Sequence, residues 1–217
     1  STSLCTLCLL LIKENMEKTK MNVVPFLFSA LVCLVILDKA SASASLCSYS
    51  NWWKSFDYSG RSSCSGREYI TGLERSRTSD YSKDYIYHIE GAQCCKGTPG
   101  YENQNQQCAR VDWVHSFDRT NTWNMCPNGF FLSGLERSGN INGDNYLHNI
   151  EYGYCCKPLS SPLGYKHCFK ANVWDHFNHD RHGMISCGRH GYYITGLYRS
   201  SCDLVYCIEE FMCCSMK

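Results

Sequence analysis

Three arginines and three glutamates recur at fixed places in this chain. Arg75, Arg137 and Arg199 each follow a Gly-Leu step, and Glu90, Glu151 and Glu209 each stand four residues before a Cys-Cys pair. A guanidinium and a carboxylate repeated in register admit two chemistries. They can form an internal, partly buried bidentate ion pair. They can instead hold the hydroxyl or sulfate groups of a ligand beside an aromatic platform. Trp52 and Trp113 are the candidate platforms; each precedes a Phe-Asp step, Phe56-Asp57 and Phe117-Asp118. A repeated tryptophan also buries a large area, so a place in the core is the competing reading. Trp53 and Trp174 occupy the next position along, and only the first copy carries both, which leaves one of the two positions open to exposure.

Other constellations carry less. Asn140, Asn142 and Asp144 alternate, with Glu151 placed as the last ligand of a calcium-binding loop would be. Such a loop needs glycine where Asn145 stands, and Glu151 is explained by the repeat, so a polar turn is expected. His176, His179 and His182 have the donors for zinc or copper but lie in a segment that reads as a solvated loop. No serine-hydrolase elbow, phosphate loop or HExxH helix occurs. Nothing selects a carboxylate pair such as Asp118 and Glu136 for glycoside hydrolysis. The chain reads as a non-enzyme, with no cofactor and no metal.

The elements that must position these residues are three copies of one module, residues 47–96, 108–157 and 168–217, and a repeat this regular sets the architecture and implies that a ligand site occurs in each copy. Each copy opens with a cysteine (Cys47, Cys108, Cys168), carries a second (Cys64, Cys126, Cys187) and closes on a pair (Cys94-Cys95, Cys155-Cys156, Cys213-Cys214). The third adds Cys202 and Cys207, expected to pair with each other. Full pairing in an oxidising compartment requires an even number, and these cysteines supply it. Adjacent cysteines on a strand face opposite ways, so the members of each closing pair should take different partners, one the opening cysteine and one the second. Which takes which is open.

Within a copy, Tyr69-Ile70-Thr71-Gly72-Leu73 and its counterparts are β-branched and aromatic, with a glycine that marks a bulge or a close approach. Residues 85–90 alternate apolar and polar and lead into the Cys-Cys strand. The spacers, 97–107 and 158–167, are short and rich in turn-forming residues, so the copies should pack as one domain. No window has a helical period. The expected fold is all-β: three disulfide-stapled repeats packed with pseudo-threefold symmetry. Residues 1–20 read as upstream or fragment sequence. Residues 21–44 read as a signal peptide, an apolar run followed by alternating Ala and Ser, with cleavage after Ala42 or Ala44. The run is shorter than a membrane-spanning helix needs. With this leader set aside, acidic and basic residues balance, which removes the electrostatic case for binding nucleic acid.

The order Trp, Phe-Asp, Cys, Gly-Leu, Arg-Ser, acidic residue, Cys-Cys resembles the dermatopontin family of secreted matrix proteins and its invertebrate lectin-like relatives. It is carried by Trp113, Phe117-Asp118, Cys126, Gly134-Leu135 and Cys155-Cys156 with their counterparts, across residues 47–217. The Asp-Arg-x-Trp motif of vertebrate members reads here Asp84-Tyr85, Asp144-Asn145-Tyr146 and Asp203-Leu204-Val205-Tyr206. The resemblance implies a secreted, extracellular, non-catalytic protein that adheres to glycans or other matrix components. A purely structural, cross-linked matrix component, such as part of a skeletal organic matrix, is one alternative. A secreted defence lectin or toxin is another.

Overall fold

The β-branched and aromatic runs around each Gly-Leu step and each Cys-Cys pair form the two central strands of a sheet, and the opening cysteine starts a third strand beside them. The computed structural model describes residues 46–217; the leader and its cleavage point lie outside the described residues. Cys47–Lys217 is a single compact unit. Each copy supplies four strands: β1 (Cys47–Asn51), β2 (Gly60–Ser63), β3 (Glu68–Arg75) and β4 (Ile89–Lys96); β5 (Gln106–Asp112), β6 (Thr122–Met125), β7 (Phe131–Arg137) and β8 (Ile150–Pro158); β9 (Tyr165–Asn172), β10 (Gly183–Ser186), β11 (Tyr192–Arg199) and β12 (Ile208–Met216). Among the described residues helix is limited to two four-residue turns, α1 (Val114–Phe117) and α2 (Trp174–Phe177), and a few 3-10 turns. One of these, Ile86–His88, occupies most of the alternating stretch expected to lead into the strand, which starts at Ile89. Among the described residues no helix is long and apolar enough to cross a membrane.

The strands form three antiparallel four-stranded sheets, ordered β1-β4-β3-β10, β5-β8-β7-β2 and β9-β12-β11-β6. Each copy therefore keeps three strands and lends its short second strand to another sheet. The first lends β2 to the second, the second lends β6 to the third, and the third lends β10 to the first. The exchange closes on itself. The glycine of the Gly-Leu step makes room for the incoming strand. A Cβ on Gly72 would lie 2.6 Å from the Ile185 carbonyl oxygen, and one on Gly134 would lie 2.7 Å from Ser63 Cβ. The register of the central pair also shifts at this glycine in every copy, a bulge at the same place.

The disulfides reinforce the exchange. Opening cysteines bond the second member of each closing pair, Cys47–Cys95, Cys108–Cys156 and Cys168–Cys214, directly across the ladder. Second cysteines bond the first member, Cys64–Cys94, Cys126–Cys155 and Cys187–Cys213. Because Cys64, Cys126 and Cys187 each follow a lent strand, these bonds tie that strand back to the sheet of its own copy. Cys202–Cys207 closes a small loop in the third copy.

Two buried apolar clusters, one large and one small, each draw residues from all three copies. In the small one Tyr69, Phe131 and Tyr193 meet edge to face, with ring centroids 5.4–5.7 Å apart, a favoured aromatic geometry. Past the arginine ends of the central strands three backbone hydrogen bonds run from copy to copy: Ile86 N–H to Asn145 O (2.8 Å), Leu147 N–H to Asp203 O (3.0 Å) and Val205 N–H to Asp84 O (2.8 Å). The core also compensates volume between copies. Trp113 lies against Gly153, where a Cβ would meet the indole at 2.4 Å, and Ala92 holds the equivalent place opposite Leu73 in the first copy. In the third copy Val173 replaces the tryptophan, and Phe211 fills the space, packing edge on to Phe177 where the others pair Trp with Phe.

At the junction of the second and third copies, His148 bonds Asp203 through Nδ1 and Asp144 through Nε2 (2.9 Å). Burial opposes its charge, but the two carboxylates outweigh burial and raise its pKa above the usual 6.5. A base raised in the folded state contributes stability fully below its unfolded pKa and loses it as pH rises through the folded value. Thermal melts of wild type and His148→Gln should therefore differ most in mildly acidic buffer and converge in alkaline buffer. Separately, Gly134→Ala should lower stability by about 1–3 kcal/mol through overpacking, read as a Tm lower by several degrees.

Candidate functional site

The repeated arginines end strands β3, β7 and β11, and all three are buried. Their donors are consumed within the fold. Each Nε bonds a carbonyl of its own copy: Ser76 O (3.0 Å), Ser138 O (3.0 Å) or Cys202 O (2.8 Å). Each Nη1 reaches the phenylalanine carbonyl of another copy: Arg75 to Phe177 O (2.7 Å), Arg137 to Phe56 O (2.9 Å) and Arg199 to Phe117 O. That carbonyl ends a short turn and has no helical acceptor role left to it, so the guanidinium caps it. The other bonds go mainly to the variable loop of the same copy, with one further bond from Arg75 to His179 O of the third copy (3.4 Å). Arg75 grips Asp84 with both terminal nitrogens, Arg137 bonds Asn145 Oδ1 (2.7 Å), and Arg199 pairs with Asp203 (3.0 Å).

This corrects the expected pairing of Arg75, Arg137 and Arg199 with Glu90, Glu151 and Glu209. The arginines hold the copies together and are buried, their donors spent largely on the fold. Their partners include main-chain carbonyls of another copy, which leave no mark in a sequence. The glutamates are half-buried at the sheet rim. Their main-chain carbonyls accept from the N–H groups of Trp52, Trp113 and Val173, and the Glu151 carboxylate takes the Ser138 hydroxyl at 2.6 Å. Arg137 faces a neutral amide where its counterparts face carboxylates, and burial pushes its pKa down to about 10.

The tryptophans are corrected too. Trp52 and Trp113 are 1% and 2% exposed, with indole N–H groups bonded to Ser50 Oγ (3.0 Å) and Met125 O (3.2 Å), so neither ring can stack on a sugar. The exposed position is the next one, Trp53 at 60% and Trp174 at 49%. The signal for this was the preceding polar residue. Asn51, Asp112 and Asn172 accept from the backbone N–H two residues on and start a helical turn. In such a turn residues four apart share a face, which sends Trp52 and Trp113 inward with Phe56 and Phe117.

An open cleft of about 310 Å³ lies across the sheet formed by β1, β4, β3 and the lent β10, walled by Tyr49, Asn51, Trp53, Glu74, Arg75, Ser76, Glu90, His182 and Gly183. Tyr49 lies across the bare backbone at Gly91, where a Cβ would come within 2.6 Å of its hydroxyl, and donates that hydroxyl to Glu74. Burial and the Glu74 bond push its phenol up to about 12. Burial raises the Glu90 carboxyl, with Asp57 and Glu74 adding repulsion that the Ser76 hydrogen bond only partly offsets. Among the described residues neither Glu74 nor Glu90 takes part in an ion pair. The cleft thus offers an exposed indole, hydroxyl and amide groups, and two uncompensated carboxylates.

The corresponding surfaces of the other copies differ, so the expected threefold site is not kept. In the second, Arg110 stands where Tyr49 does, lies 3.1 Å above the Tyr152 ring and holds Glu136 with two bonds (3.0 and 2.7 Å). In the third, Lys170 lies 5.3 Å over Trp123 and 3.6 Å from Glu210, and Tyr198 replaces the glutamate of β3 and β7. Among the described residues no group of three His, Cys, Asp or Glu is gathered as metal ligands. Asn140 caps a turn through Asn142 N–H (2.9 Å), and His179 packs edge on to Tyr81 and Tyr206.

Lysine can keep the charge at the arginine positions but not the three-way bonding. Breaking a buried, hydrogen-bonded charge costs about 3–5 kcal/mol, so Arg75→Lys or Arg137→Lys should lower Tm by roughly 6–20 °C in calorimetry of the oxidised protein. Compared with known proteins, the chain matches no family model, no curated protein and no solved structure.

Proposed function

We propose that this is a secreted, non-enzymatic matrix or adhesion protein, similar to the dermatopontin family, whose three repeats pack with pseudo-threefold symmetry and whose first repeat binds glycans. The observation that carries the binding reading is the cleft that joins exposed Trp53 and Tyr49 to Glu74, Glu90 and Ser76. A flat apolar ring beside a few polar groups is what a sugar needs, since one face of the ring is lined by C–H groups and its rim by hydroxyls. Seven disulfides in the described chain support an oxidising, extracellular setting. The two carboxylates on the cleft wall, Glu74 and Glu90, argue against sulfated glycans as the main ligand.

A purely structural role is the second reading, favoured by one observation: the repeated arginines are all internal. A glycan array probed with the oxidised chain, with and without calcium, separates the two. Saturable binding that falls about tenfold or more in Trp53→Ala, but not in Trp174→Ala, supports the cleft. Absence of binding by well-folded protein returns the chain to the structural reading.

A further inference from the structure

On the outer faces of the second and third sheets a cation sits beside an aromatic ring and a carboxylate. In the second copy a cation, Arg110, is held between the Tyr152 ring and the Glu136 carboxylate. In the third, Lys170 sits over the Trp123 ring and 3.6 Å from Glu210. Both cations occupy the second position after the opening cysteine. In the first copy that position is Tyr49, so the sheet keeps its carboxylate, Glu74, and gains an aromatic ring instead of the cation. Glu90 adds a second carboxylate on the same cleft, and Trp53 a second exposed ring. Arg75, which also lines the cleft, has its guanidinium committed to Asp84, Ser76 O and Phe177 O.

Resting on the glycan reading above, we infer that this cleft takes a saccharide bearing a protonated amine, a glucosamine-type residue, with the ammonium held between Glu74, Glu90 and the faces of Trp53 and Tyr49. Twice the molecule already surrounds a cation of its own with a ring and a carboxylate, drawn from different strands in the two copies. In the first copy the cation must come from outside. Attraction of an ammonium to an aromatic face is strongest for tryptophan and grows with desolvation. A carboxylate beside it adds a charge-assisted hydrogen bond. The same surroundings repel sulfate and carboxylate groups, so anionic glycosaminoglycans are excluded from this cleft. The remaining hydroxyl-bonding groups, Ser76 and Asn51, suit the rim of a sugar ring better than the bare stem of a lysine.

The test is a titration of the oxidised chain, below neutral pH, with glucosamine oligomers, with N-acetylglucosamine oligomers of equal length, with heparin and with N-acetyl-lysine amide. The amine oligomer should bind about tenfold or more tighter than its acetylated counterpart. That margin, the ratio of the two affinities, should shrink in both Glu74→Gln and Glu90→Gln while near-ultraviolet circular dichroism stays as in wild type. Equal affinity for the two oligomers, or an unchanged margin in the glutamine variants, overturns the amine assignment and leaves glycan binding standing. Heparin binding tighter than the amine oligomer also overturns it. Competition by N-acetyl-lysine amide as strong as by the amine oligomer overturns the saccharide in favour of lysine side chains. No binding of any saccharide removes the glycan reading and this inference together.

Discussion

Every junction between copies is held by the same interaction: a buried guanidinium on the last residue of one Gly-Leu strand caps the phenylalanine carbonyl of another copy. A buried charge is costly unless its donors are matched. Here each arginine finds acceptors in its own strand end, its own variable loop and the neighbouring turn, so it is satisfied only when the loop is folded and the neighbour is docked. The bond therefore couples local to long-range order. It also explains why a charged residue persists at the end of a strand whose other residues are mainly apolar and buried.

Strand lending makes the same point by a different means. A module of this size has too little core to stand alone, and here no copy even owns a complete sheet. The lent strands are short, and a lone edge strand of four residues would hold weakly. The second disulfide of each copy anchors it from behind, so the strand cannot leave the neighbouring sheet without straining its own. Glycine at the point of approach, a cysteine just after the lent strand and arginine at the strand end act as one device, which is why all three recur at the same spacing.

Much of this was legible in advance because the repeat is regular. The all-β class follows from the composition of the central strands, and the cysteine partners were narrowed to two choices per copy by strand alternation. The final choice depends on register, which puts Cys47 opposite Cys95, and register is not written in local sequence. The lent strands read Gly-Arg-Ser-Ser, Thr-Trp-Asn-Met and Gly-Met-Ile-Ser; they share no pattern because their backbones pair while their outward side chains are free to vary. For the same reason the arginine was recognisable as a fixed element, but its partner was not. The exposed ring proved to be Trp53 and not Trp52, since both are tryptophan and only the Asn51-capped turn decides which points inward.

The division of labour that results is between a shared interior and three individual outer faces. Repeated residues build the interlock, and the residues that differ between copies, Tyr49, Arg110 and Lys170 above all, give each face its chemistry. A two-dimensional NMR titration of the oxidised chain with a glucosamine oligomer tests this most directly. The account expects saturable shifts of the Trp53 indole and of Gly91 beneath Tyr49, with the Trp52 and Trp113 indoles and the arginine Nε–H signals of Arg75, Arg137 and Arg199 unmoved. Saturable shifts centred on those three arginines, with Trp53 silent, would contradict it.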